Sequence, residues 1–223
     1  MNMLALTMPR ETAPGPLVRR RIAFVINSLG PGGAERVLGQ VMEMAAPEKW
    51  DCHLVLLDSE DEWRTAPDFV TVHRLDCKRG MIASTDHLRR TLAGIRPQLV
   101  VSFLVRANVA AVIAARSLGI PCVISERSQL STHLQNEHSG LKRMAAKAAP
   151  RLTYPQADRV IAVSNGVRSD LVARFGVRPA RVQTIYNPYD IEKIRRSALE
   201  APEFDLPSRF LEIGRASCRE RVY

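Results

Sequence analysis

Short apolar runs alternate with segments whose apolar residues recur every three or four positions. The runs fall at Arg21–Ser28, Cys52–Leu57, Phe69–Leu75, Leu99–Leu104, Cys122–Ser125, Val160–Val163 and Val182–Tyr186. Their length and their wealth of Val, Ile and Leu predict strands. Helical spacing appears in Ala34–Ala46, Ser84–Ile95, Ala107–Leu118, Leu141–Ala149 and Asn165–Phe175. Leu118-Gly119-Ile120-Pro121 is a helix stop before the next strand, and Arg96-Pro97 serves similarly before Leu99. Apolar strands separated by amphipathic helices predict a parallel sheet covered on both faces. The expected fold is α/β: a doubly wound, Rossmann-like parallel sheet over residues 21–200. Residues 1–20 are expected to be a disordered lead-in, and 201–211 a linker or the start of another domain.

In such a sheet, ligands meet the carboxyl ends of the strands. That rule gathers the polar residues that follow the predicted strands onto one edge. They are Asn27 to Gly33, then Arg106 and Asn108, then Ser125 to Ser128, then Ser164 to Gly166, then Tyr186 to Pro188. The first group is the most informative. Ile22-Ala23-Phe24-Val25-Ile26 runs into Asn27-Ser28-Leu29-Gly30-Pro31-Gly32-Gly33, and a helix opens directly behind. The amides and positive dipole end of a helix favour an anion, most often a phosphate. The third glycine of a dinucleotide fingerprint is replaced by Glu35, and no Gly-Lys-Ser/Thr follows as in a P-loop. A tight turn without a ligand remains the alternative.

The formal net charge of +9 calls for an anionic partner: a nucleotide, an anionic lipid head group or a nucleic acid. Nucleic acid is disfavoured, because aromatic residues are only 5% and do not interleave with the basic ones. The four cysteines form no disulfide framework, and no Cys/His group has zinc spacing. Cys52 and Cys122 read as buried thiols within strands, and His53 as a structural residue. No apolar run reaches the ~18 residues of a membrane span, and residues 1–20 lack the form of a signal peptide. Within His138–Arg151, the basic residues Lys142, Arg143, Lys147 and Arg151 alternate with apolar ones. Such a helix either touches an anionic membrane surface or is an ordinary surface helix.

Four motifs in order resemble the opening domain of GT-B glycosyltransferases of the family 4 type. They are Gly32-Gly33-Ala34-Glu35-Arg36, Ser125-Glu126-Arg127, Ile161-Ala162-Val163-Ser164-Asn165-Gly166-Val167 and Ile185-Tyr186-Asn187-Pro188-Tyr189-Asp190. The resemblance implies the N-terminal, acceptor-side half of a two-domain enzyme. That enzyme would move a sugar from a nucleotide donor to a glycan or lipid-linked acceptor, with retention and without a required metal or other cofactor. It implies a cytoplasmic protein, peripheral on the inner face of the membrane. Gly32 and Gly33 would set amides near the donor diphosphate, with Glu35 as an acceptor contact or a structural charge. Glu126 and Arg127 are the expected catalytic pair. Arg127 would bind a phosphate or sugar hydroxyl, and Glu126 would accept from a substrate hydroxyl or pair with Arg127. Arg106, Ser125 and Asn187 are expected to touch donor or acceptor. No histidine stands in the Ser-Glu-Arg motif, and His133 is the nearest.

Two other readings stay open: a nucleotide-sugar epimerase or dehydrogenase domain, and a non-catalytic interaction module. Against the first stand the absent third glycine and the lack of an acidic residue closing strand two, for which Asp58 is the sole candidate. Glu212 to Val222 matches the translation of a common short-read sequencing adapter. Residues 212–223 are therefore expected to be an artefactual tail and the enzyme's second domain to be missing. The fragment alone is expected to be inactive.

Overall fold

The computed structural model describes residues 19–58, 63–78, 80–132, 148–189 and 191–200. The lead-in at 1–18, most of the 141–149 helix with Lys142, Arg143 and Lys147, and the tail at 212–223 lie outside the described residues. The chain separates into two compact units, residues 1–187 and residues 188–223.

The first unit carries seven strands: β1 (Arg20–Ile26), β2 (Trp50–Leu56), β3 (Thr71–Arg74), β4 (Leu99–Phe103), β5 (Cys122–Glu126), β6 (Arg159–Ala162) and β7 (Val182–Thr184). They form one sheet in the order β3-β2-β1-β4-β5-β6-β7, and every pairing is parallel. This is the expected doubly wound arrangement, with the chain reversing direction across the sheet between β1 and β4. Its helices include α1 (Gly33–Glu43), α2 (Met81–Ile95), α3 (Val105–Ser117) and α4 (Asn165–Phe175). The second unit contains α5 (Ile191–Ser197), which the apolar pattern did not mark.

Alternation along β1 divides the core in two. Ile22, Phe24 and Ile26 pack with Val37, Leu38 and Met42 of α1 and with Leu54 and Leu56 of β2. Ala23 and Val25 face the other way, into a core built from α2, α3, α4 and strands β4 to β7. Along α3, Ala107, Ala110, Ala111, Ala114 and Ala115 are all fully buried. Small side chains let this helix lie close to both α2 and the sheet, which explains burial nearly all round. Ser164 caps α4 by accepting the Val167 amide at 3.2 Å, and Gly176 ends it in the left-handed region at φ 68°. Cys52, Cys77 and Cys122 are free and buried, and burial pushes the Cys122 thiol up to about 12. His53 Nδ1 lies 3.0 Å from His73 Nε2, a pairing within the sheet that accords with a structural role.

Candidate active site

Because all seven strands run the same way, the turns after β1, β2, β4, β5 and β7 share one edge. After β1 the chain passes Gly30 and Pro31, and Gly32 caps α1 with extended backbone, φ −73° and ψ 169°. Neither Gly32 nor Gly33 needs a left-handed conformation, and a Cβ on Gly33 would meet nothing within 4 Å. The chain's own packing therefore does not demand glycine at 33. A Cβ on Gly32 would run into the carboxylate of Glu35, which folds back over the first turn of α1. There it occupies the positive end of the helix, where a negative charge is stabilised.

β4 enters α3 through Leu104, whose φ of 75° and ψ of 148° belong to a region nearly reserved for glycine. This bend places Arg106 in the first turn of α3. The Arg106 guanidinium forks onto the carboxylate of Asp58, just past β2, with Nη1 to Oδ1 at 3.3 Å and a second contact from Nη2 to Oδ2. Asp58 is buried, and its amide donates to the Asn27 carbonyl at 2.8 Å, which ties the ends of β1 and β2 together. Arg106 thus lies where expected, engaged by an acidic residue that sequence reading considered only as a dinucleotide feature.

The end of β5 differs from expectation in two ways. Ser125 and Glu126 are both buried, each about 1% exposed. The Glu126 carboxylate does not pair with the Arg127 guanidinium, and it is turned into the interior. Its Oε1 accepts the amides of Arg127 at 3.1 Å and Ser128 at 3.3 Å, while Oε2 accepts the Tyr154 hydroxyl at 2.7 Å. Burial raises the Glu126 carboxyl above its ordinary range, and these donors pull it back. Burial, and then the Glu126 charge, push the Tyr154 phenol well up. Ser125 Oγ accepts from Arg127 Nη1 at 3.4 Å. Arg127 Nη2 donates to the Asn187 side-chain oxygen, and the guanidinium carbon sits 5.9 Å from the centre of the Phe103 ring. The sequence therefore brings Ser125, Arg127 and Asn187 into one cluster from positions 60 residues apart.

Sequence reading missed Tyr154 altogether. It stands in a short 3-10 turn (Tyr154–Gln156) with no pattern around it. Arg151, a candidate membrane contact or ordinary surface residue, is exposed and has partners on the protein. It donates to the Arg174 carbonyl at 3.0 Å, near the end of α4, and lies 6.0 Å from the Phe175 ring centre. Among the described residues no group of three or more His, Cys, Asp or Glu is placed to hold a metal, and no helix is long and apolar enough to cross a membrane.

Comparison with known proteins bears on the family and the fold. A relative from Campylobacter jejuni, N-acetylgalactosamine-N,N'-diacetylbacillosaminyl-diphospho-undecaprenol 4-alpha-N-acetylgalactosaminyltransferase, is 30% identical over 213 residues. The match takes in 88% of this chain and 55% of that protein, so the chain spans about half the length of this curated relative. The apo structure of the lipopolysaccharide outer core galactosyltransferase WaaB superposes with a TM-score of 0.57 at 21% identity, over 77% of this chain and 46% of the other. UDP-N-acetylglucosamine 2-epimerase from Rickettsia bellii gives 0.58 at 13% identity, over 82% and 50%. These likenesses show the fold, the Rossmann-like half of a GT-B architecture, and a fold shared by a transferase and an epimerase does not choose between chemistries. The sequence profile described as Glycosyltransferase Family 4 matches residues 31–193, from the glycine turn through the Asn187 segment. The chain belongs to glycosyltransferase family 4.

Proposed function

We propose that this domain is the acceptor-side half of a glycosyltransferase that moves a sugar from a nucleotide donor to a polyprenyl-diphosphate-linked glycan, with retention and without a metal. The observation that carries the reading is the family match from the glycine turn to Asn187, with Arg106, Arg127 and Asn187 on one sheet edge. The Campylobacter relative, which is named for a diphospho-undecaprenol acceptor, favours a lipid-linked substrate here. In this reading Arg127 holds an anionic or hydroxyl group of substrate. The amides at the start of α1 face the donor diphosphate, whose growing negative charge they stabilise as the bond to the sugar breaks. Glu35 swings aside as the phosphates arrive. A basic protein acting on a lipid-borne acceptor would work at the inner membrane surface, on the cytoplasmic side.

The test uses the full-length gene product, a nucleotide-sugar panel and undecaprenyl-diphosphate-linked acceptors, with product anomers read by NMR. Gly33→Val should keep the fold, since a Cβ at that position meets nothing within 4 Å. It should lower transfer about 10²-fold, the scale of one lost transition-state donor. Normal turnover by a folded Gly33→Val enzyme would remove the phosphate from this turn. A product of inverted configuration would overturn retention.

A further inference from the structure

The geometry points to Tyr154 as a positioning residue that acts through Glu126 to hold Arg127 ready for its substrate group. The identity of that group rests on the glycosyltransferase reading; the holding rests on this chain's own contacts. The Tyr154 hydroxyl donates to Glu126 Oε2 at 2.7 Å and receives Asn108 Nδ2 at 3.2 Å. Asn108, fully buried in α3, is itself fixed twice. Its side-chain oxygen accepts from Ser102 Oγ at 2.7 Å, and its nitrogen donates to the Ser125 carbonyl at 3.1 Å. At the other end of Glu126, Oε1 gathers the amides of Arg127 and Ser128. An unbroken line of hydrogen bonds thus runs from β4 through α3 and the Tyr154 turn to the peptide groups that carry Arg127.

The guanidinium is held separately, by Asn187 and Ser125 Oγ. Backbone and head group are therefore both placed before substrate arrives, and little rotamer freedom is left to lose on binding. Packing alone would not require this arrangement. A phenol and a carboxylate in the interior forfeit their hydration, and an apolar pair would fill the same volume without that loss. What the polar pair adds is a fixed direction for two amides at the carboxyl end of β5.

Tyr154→Phe removes one hydroxyl and keeps the ring. In the 223-residue chain, hydrogen exchange by NMR should show protection falling about tenfold at the amides of Arg127 and Ser128, as expected for one lost bond to a charged group. The amides of Phe24 and Val101, in the middle of the sheet, should be unchanged. An equal loss at all four, or none at Arg127, overturns the inference, and this measurement needs no substrate. In the full-length enzyme, Arg127→Ala should raise KM for the substrate it contacts. Tyr154→Phe should raise the same KM in the Arg127 enzyme and add nothing in the Arg127→Ala background. Additive losses overturn the positioning role. An Arg127→Ala enzyme with normal kcat and KM overturns the substrate role given to Arg127.

Discussion

Glu126 shows how one buried side chain reverses an expectation. A carboxylate beside an arginine at a strand end suggests an acceptor for a substrate hydroxyl or an ion pair. Its surroundings here make it an internal acceptor for two amides and a phenol. The raised carboxyl pKa has a consequence for stability. Below the ordinary glutamate value near 4.5 the group is protonated in both the folded and the unfolded chain, so it adds no pH dependence. As pH rises, the unfolded chain releases its proton first, and stability falls until the folded pKa is passed. Glu126→Gln should abolish that fall, leaving a flatter profile of thermal midpoint against pH above 4.5 than the parent shows. A parent and variant with parallel profiles would mean that the carboxyl is not perturbed in the fold.

At the scale of elements, the β4–α3 junction carries backbone strain at Leu104. Leu104 holds a glycine-like conformation while its side chain packs partly against the α1-side core. Leu104→Ala loses the packing and keeps the strain, whereas Leu104→Gly loses the same packing and releases it. Leu104→Gly should therefore be the more stable of the two by about 1–3 kcal/mol, the reverse of the usual order. Chemical denaturation of both variants measures this.

Strands β1, β2, β4, β5 and β6 were legible as short apolar runs largely buried in a parallel sheet, whereas the edge strands β3 and β7 are little buried and were marked by the apolar residues flanking or opening them. The range of α4 was read to the residue, because a serine cap and a glycine stop mark its ends. α2 begins three residues earlier than its apolar spacing suggested, since Met81 and Ile82 are exposed and carry no signal of a face. Gly32, Gly33 and Arg127 were legible as members of motifs. The Tyr154–Asn108–Ser102 line was not, because its members come from separate segments and become neighbours only once the sheet has formed. The same is true of Asp58 and Arg106, 48 residues apart.

At the scale of the whole molecule, the parallel sheet sends its chemistry to one edge and its plain connections to the other. The connection from α1 to β2 lies on that second edge. There Pro47 and Glu48 are exposed; the Lys49 and Trp50 amides both donate to the Ala46 carbonyl across them, and Arg19 Nη1 reaches the Pro47 carbonyl at 3.4 Å. The domain thus has a rim free of the candidate site residues, and that rim is a place to attach things. A six-residue Gly/Ser insert between Pro47 and Glu48 should cost no more than about 1 kcal/mol of loop entropy, visible as a small drop in thermal midpoint. The same insert between Gly32 and Gly33 should abolish sugar transfer by the full-length enzyme. For anyone who wishes to label, immobilise or fuse this protein while watching it work, the polarity of the sheet marks the handle and the blade.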